Sequence, residues 1–263
     1  MPVTEEIAFH AQFGEDRILA EHFAGQMGYF VEVGAYDGVE YSNTCHFEKL
    51  GWSGLLVEAD PELAEKCRKS RPRSAIANCA AVATGGPKEI SFDVVEGHRG
   101  LSGVEVNMDF VRSLTGRSAE EIKIRRITVP ALTLDEILEK NGGREISFMT
   151  IDVEGQEMPV LRGFTISRWK PGIVIMERNT PVPDKEILQY MHENGYQYGR
   201  TTGGNDWFFR VASGKADTLS YRAMMIRKFY GPHLMRSVWR GAKSRVKAGA
   251  TLCGLRRAPA AAR

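Results

Sequence analysis

Short apolar runs alternate with helical patterns through the first hundred residues, and that alternation restricts the fold more than any other feature of the chain. Tyr29-Phe30-Val31-Glu32-Val33 stops at Gly34, as a buried strand does. Ser42-Asn43-Thr44 offers cap residues for a helix over Cys45 to Leu50, which Gly51 ends. Gly54 to Glu58 is a second buried run. Pro61 stands where the first turn of a helix tolerates it, and that helix is expected to run to about Ser70. Ala75 to Val82 reads as a third strand. A β-α-β-α-β beginning predicts an α/β fold with a mostly parallel sheet and helices on both faces.

The middle of the chain is less regular. Lys88 to Val95 reads as a strand, whereas His98 to Gly103 and Gly116 to Arg126 read as loop or lid. Thr128 to Leu132 is strand-like, and Thr133 caps a helix from Leu134 to Glu139 that Asn141-Gly142-Gly143 terminates. Ile146 to Ile151 and Gly172 to Met176 are two further strands, closing at Asp152 and Glu177. A helix over Asp184 to Glu193 follows. Tyr196 to Arg200 and Asp206 to Val211 form a closing antiparallel hairpin, in which Trp207 reads as packing or as a sugar platform.

Charge divides the chain in two. The 213 residues before Gly214 hold 23 Lys+Arg against 32 Asp+Glu, and the remaining 50 hold 12 against one. We therefore expect an acidic globular domain over 1–213 and a basic helical tail over 214–263. From Ser220 to Lys247 the tail interleaves Met224, Ile226, Phe229, Leu234 and Trp239 with arginines and lysines, and Gly231-Pro232 divides it into two helices. That pattern suits an anionic membrane surface; it equally suits packing on the acidic body or against a second subunit of a homo-oligomer. The tail carries no nucleic-acid recognition motif. The four cysteines form no Cys-x-x-Cys pair, the N-terminus does not read as a leader, and no apolar run nears the roughly 18–20 residues of a membrane span. These features predict a cytoplasmic protein, peripheral on the inner membrane face if the tail binds lipid.

Three strand patterns end in an acid, at Glu58, Asp152 and Glu177, and a fourth carries Glu32 just before its glycine turn. Open parallel sheets bind ligands at the carboxyl ends of their strands. Carboxylates gathered there repel one another unless a ligand or cation satisfies them, or unless each caps the helix that follows. The loop Glu32-Val33-Gly34-Ala35-Tyr36-Asp37-Gly38 lacks the Gly-x-Gly-x-x-Gly spacing of a dinucleotide site and sets acids where a pyrophosphate would lie. S-adenosylmethionine has no phosphate and carries a sulfonium and an ammonium group, so an acidic glycine loop suits it. Glu58 is placed to accept hydrogen bonds from ribose hydroxyls.

Five blocks together resemble the FkbM-type methyltransferases: Gln12 to Asp16, Phe30 to Gly38, Ser42 to Thr44, Gly51 to Ala59, and Ile151-Asp152-Val153-Glu154-Gly155-Gln156-Glu157. The resemblance runs from about Gln12 to about Val211. It implies a class I methyltransferase fold, Rossmann-like, that uses S-adenosylmethionine to methylate a hydroxyl, often on a sugar or polyketide. Carried over residue by residue, it sets Glu32, Gly34, Asp37 and Gly38 along the methionine end of the cofactor. Asn43 and Thr44 fall at its carboxylate or at the helix that follows, Glu58 at the ribose, Asn78 or Ala80 beside adenine, and Asp152 at the amino group or the substrate.

Methyl transfer needs an aligned acceptor oxygen and a group to take its proton. Glu154 is the first choice for that base, next to Asp152, while Glu157 reads as a first-turn acid that complements a helix dipole. Glu177 and Asn179 are expected to bind sugar hydroxyls, and His98 is either an acid-base group on a lid or a solvated loop histidine. A magnesium ion on Asp152 and Glu177 is an alternative use of the same oxygens. The expected function is O-methylation of a sugar in a glycan or glycolipid. The alternative is a non-catalytic nucleotide- or sugar-binding module of the same fold. Glu58 and Gly34 are both expected to be replaceable at the cost of cofactor affinity, with the fold kept.

Overall fold

The computed structural model of the chain describes residues 7–180 and 182–211. The basic tail and the 213/214 boundary therefore lie outside the described residues. In chain order the elements are α1 (Glu15–His22), β1 (Tyr29–Val33), α2 (Cys45–Lys49), β2 (Ser53–Val57), α3 (Pro61–Ser70), β3 (Ser74–Ala77), β4 (Ala80–Ala81) and β5 (Glu89–Val95). A short 3-10 turn (Arg99–Leu101) precedes α4 (Met108–Thr115), β6 (Ile124–Leu132), α5 (Leu134–Lys140), β7 (Phe148–Ile151), α6 (Glu157–Arg162) and α7 (Ile166–Trp169). The last are β8 (Ile173–Glu177), α8 (Lys185–Glu193), β9 (Tyr196–Thr202) and β10 (Asn205–Arg210). No helix among the described residues is long and apolar enough to cross a membrane.

Seven strands share one sheet in the order β3-β2-β1-β7-β8-β10-β9. Its first five are parallel, and β10 and β9 close it antiparallel. The α/β class and the closing hairpin are thus as expected. Strand order reverses between β1 and β7, which is where open α/β sheets hold their ligands. β1 and β7 are buried on both faces, which explains why they read as continuous apolar runs. On one face Val31, Val33, Met149 and Ile151 pack with Ile137, Leu138, Val160, Leu161 and Met191 of α5, α6 and α8. On the other, Phe148 meets Phe47 at 4.8 Å, Phe23 at 5.8 Å and Trp52 at 5.9 Å between ring centroids. Aromatic pairs of this kind add about 0.5–1.5 kcal/mol beyond area burial.

Several local readings change. The third strand is two: the Asn78 amide donates to the carbonyls of Glu58 and Ala59, at 2.9 and 3.0 Å, and draws the chain off the β2 ladder. Ala80–Ala81 then joins a second sheet, ordered β4-β6-β5. The stretch after His98 contains α4, capped by Asn107 and ended by Gly116 in the left-handed region. Only Val111 of α4 is buried, so its sequence lacks a broad apolar stripe. β6 begins at Ile124 rather than Thr128, and its Arg126 makes a two-pronged bond to Asp93 at 2.7 and 2.8 Å. α1 escapes a periodicity reading because two of its three buried residues are acids, Glu15 and Asp16. Trp207 is buried, with its indole N–H donating to Thr202, so it is packing and not a sugar platform.

One polar group ties β1, α2 and α3 together. Arg71, 1% exposed, stands 3.0 Å from Glu48 and 3.6 Å from Glu32, both themselves buried. Its remaining N–H groups reach the Gly38 carbonyl at 2.8 Å and the Thr44 hydroxyl at 2.9 Å. Removing one partner of a buried ion network costs about 3–5 kcal/mol, because the others stay buried and unpaired. Arg71→Ala is therefore expected to lower the unfolding free energy by about that amount, read from urea denaturation, while Arg68→Ala on the exposed face of α3 changes it by less than about 1 kcal/mol.

Candidate active site

The C-terminal ends of β1, β2, β7 and β8 open into a cavity of ≈ 510 Å³. Its central contact is Gly34, with φ of 83°, where a Cβ would lie 1.7 Å from the backbone oxygen of Asp152. Only glycine allows β1 and β7 to meet here. A substitution at Gly34 would part the two strands, so the expectation that the fold tolerates one is corrected.

Glu58 closes β2 and is 6% exposed. Its carboxyl accepts the backbone N–H of Tyr36 at 2.9 Å and that of Asp60 at 2.8 Å, which sets the glycine loop against β2. Burial pushes this carboxyl up to about 7, against those two bonds. It does not cap α3; Asp60 does that, accepting from Glu62. Glu32 also borders the cavity, yet both its oxygens are engaged inside the protein. Ser42 and Thr44 hydroxyls and the Asn43 N–H donate to it, and burial raises its pKa in spite of Arg71.

Asn43, Ala80, His98, Asp152, Glu154 and Glu177 line the cavity. Five expected site residues do not. Asp37 turns back to accept the N–H groups of Val39 and Glu40, and Gly38 gives its carbonyl to Arg71. The Thr44 hydroxyl is spent on Glu32, and the Asn78 amide on the turn after Glu58. Asn179 donates to Glu177 at 3.0 Å from outside the lining. All five hold the frame: the side chains of Asp37, Thr44, Asn78 and Asn179 each satisfy a nearby backbone or carboxylate group, and the Gly38 carbonyl satisfies Arg71.

The acids after β7 and β8 converge. One oxygen each of Asp152, Glu154 and Glu177 lies within 4.8 Å of the others. Asp152 is open to the cavity but sits on its floor, and burial, with Glu177 and Glu154 beside it, raises its pKa well above the carboxylate range. Burial and then Glu177 push Glu154 up to about 8. Glu154 stands in the left-handed region, φ 51°, a conformation that costs a non-glycine residue about 1–3 kcal/mol and recurs at functional sites. Glu157 opens α6 and accepts the Gly155 N–H at 3.1 Å, the local role expected of it.

The segment 97–103 roofs the cavity from Tyr36, near Gly100, to Glu154, near Gly103. Arg99 latches it to the buried Asp60 at 2.9 Å, a role not foreseen from the sequence. α4 adds Phe110 and Leu114, which also went unread; they are 43% and 60% exposed and both line the cavity. Their i, i+4 spacing between the Asn107 cap and Gly116 was the available signal.

A family model described as a methyltransferase FkbM domain matches residues 32–198. No curated protein matches the chain significantly. Among solved structures, a TehB-like SAM-dependent methyltransferase from Corynebacterium glutamicum aligns with a TM-score of 0.39 and 11% identity, over 76% of this chain and 89% of that one. A putative RNA methyltransferase from Pyrococcus horikoshii aligns with a TM-score of 0.40 and 13% identity, over 76% and 82%. The class I strand order stands on the sheet itself.

The raised acids give the ligand-free protein a pH dependence. Glu58 and Glu154 bind a proton more tightly folded than unfolded, where both titrate near 4.5. The stability they contribute is full below that value and is lost as pH rises through about 7 and about 8. Urea midpoints of the ligand-free protein are expected to fall steadily from pH 5 to pH 9 over roughly that window. Glu154→Gln should flatten the upper part of the slope.

Proposed function

The chain belongs to the FkbM methyltransferase family, and from that premise we propose that it methylates a hydroxyl group on a sugar of a glycan or glycolipid. It is a methyltransferase that uses S-adenosylmethionine, which when bound supplies an electrophilic methyl group on a sulfonium. The observation that carries the hydroxyl reading is Glu154: a carboxyl pushed up to about 8, in the same cavity as Glu58 and beside Asp152. A general base works best when its pKa lies near the working pH, and burial brings this carboxyl up from the carboxylate range toward neutral solution.

The residues fit the cofactor by charge and by donor type. Glu58 spends one lone pair on each of two N–H groups and keeps others for a ribose diol. Ala80 offers a flat apolar contact to adenine. Asp152, on the cavity floor, suits a cationic amino group. Glu154 would take the proton of the acceptor hydroxyl as the S–CH3 bond of the sulfonium gives way to the new O–CH3 bond and the thioether leaves, and Glu177, steadied by Asn179, would orient that hydroxyl. Phe110 and Leu114 give the acceptor side an apolar wall, which matches the C–H face of a sugar ring. His98, in the roof, is a further polar contact for the acceptor.

A second reading rests on the carboxylate cluster. Asp152, Glu154 and Glu177 are hard oxygen donors within 4.8 Å, a set that suits magnesium. In that case the ion would lower the pKa of the acceptor hydroxyl, and Glu154 would be a ligand rather than a base.

The decisive experiment is to challenge the enzyme, with S-adenosylmethionine present, with a panel of glycans and lipid-linked sugars, read as a mass gain of one methyl. Modification of amines or of RNA alone would overturn the hydroxyl reading. With an acceptor in hand, Glu154→Gln is expected to reduce kcat by roughly 10²–10⁴-fold while cofactor affinity stays within a few-fold. Activity abolished by EDTA and restored by magnesium would instead favour the ion. Glu58→Gln, which keeps the shape of the side chain, should weaken S-adenosylmethionine binding by about tenfold to a hundredfold, the worth of a charge-assisted hydrogen bond. Wild-type affinity in that variant removes Glu58 from the ribose site.

A further inference from the structure

We propose that the segment preceding α1 is a strap that completes the cavity and presents Gln12 to the amino-acid end of the cofactor, an inference that rests on the cofactor reading above and adds a residue to it. Gln12 opens the first of the five blocks that resemble the family, but that resemblance gives it no role, and the matched family model itself spans 32–198. Gln12 is exposed and lines the cavity beside Tyr41, Ser42 and Asn43. Ala11 forms a parallel bridge with Tyr41, which sets the register of the strap against that segment.

The chemistry of this corner matches an amino-acid group. With the ribose on Glu58 of β2, the other end of the cofactor lies over β1, where the Asn43 N–H is fixed to Glu32. The Asn43 side-chain oxygen is buried and has no hydrogen-bond partner among the described residues. Buried acceptors of this kind are normally satisfied; closed off from the cavity, this one adds negative potential at the corner, while the ammonium group itself meets Asp152 on the cavity floor. A carboxylate on the same carbon needs a donor in turn, and the Gln12 amide N–H₂ is the neutral donor the strap supplies.

Two buried acids fix the strap, and burying carboxylates is costly unless their bonds are needed. Glu15 accepts the Thr202 hydroxyl at 2.7 Å and the Asn205 amide at 2.9 Å from the β9–β10 hairpin, and the Phe13 N–H at 3.0 Å. Asp16 accepts the N–H groups of His10 and Ala11. At its far end Phe9 stacks on His46 of α2, with ring centroids 4.1 Å apart. The bonds of Glu15 and Asp16 converge on residues 10–13, with Gln12 in the middle. Glu15 and Asp16 are positioning residues; Gln12 is the binding residue.

Calorimetric titration of the full chain with two nucleosides tests this. S-adenosylhomocysteine carries the amino-acid group, and 5′-methylthioadenosine lacks it. Gln12→Ala is expected to weaken S-adenosylhomocysteine at least tenfold and to leave 5′-methylthioadenosine within about twofold, a split that general loosening would not produce. Gln12→Asn, one methylene short, should fall between. Thr202→Val, which frees one bond of Glu15, should show the same split at smaller size. Unchanged S-adenosylhomocysteine affinity in Gln12→Ala, or equal losses for both ligands, would overturn the proposal. Wild-type protein that binds neither nucleoside would overturn the cofactor reading, and this one with it.

Discussion

A guanidinium almost without access to water lies between two buried carboxylates, and much of the molecule is arranged around it. Arg71 ends α3, Glu32 lies in β1 and Glu48 in α2. Each charge alone would be costly to bury, and together they hold three elements at one distance. Ser42 and Thr44 complete the network by donating to Glu32. The loop that joins β1 to α2 is thereby shaped from below, and Asn43 and Tyr41 face the cavity as a result.

The two ends of the cavity floor differ in how their charge is met. Glu32 has an arginine and three hydrogen-bond donors. Asp152, Glu154 and Glu177 have mainly one another, apart from the Asn179 amide on Glu177. Burial, and then the carboxylates beside them, raise the pKa of Asp152 and Glu154, and a cationic ligand relieves that crowding. The first group is structure already satisfied, and the second is capacity left for chemistry. The contact between Gly34 and the Asp152 backbone joins the two, since it brings the end of β7 beside the glycine loop.

Much of the frame was legible in the sequence because it obeys local rules. β1, β2, β7 and β8 are apolar runs with an acid within one residue of their ends. Thr133 and Asp184 cap α5 and α8 through side-chain bonds to nearby N–H groups. What went unread has non-local causes. α1 hides because Glu15 and Asp16 are buried by partners up to 190 positions away in sequence. The third strand divides because one amide, Asn78, prefers carbonyls of the β2 turn to the ladder.

By itself the sequence determined the α/β class, the strands that carry acids to one edge, and the glycine turn at the end of the first of them. Those follow from periodicity and turn chemistry, which act over a few residues. The tertiary structure decided which of those acids is satisfied and which is free, that Asp37, Gly38 and Thr44 serve the frame, and that Gln12, Arg99, Phe110 and Leu114 border the cavity. Arg71 makes the reason plain. It stands near Arg68 and Arg73 in the chain with the same side chain, and only the packing of β1, α2 and α3 takes it out of water, because burial and partnership belong to the assembled surfaces and not to the local chain.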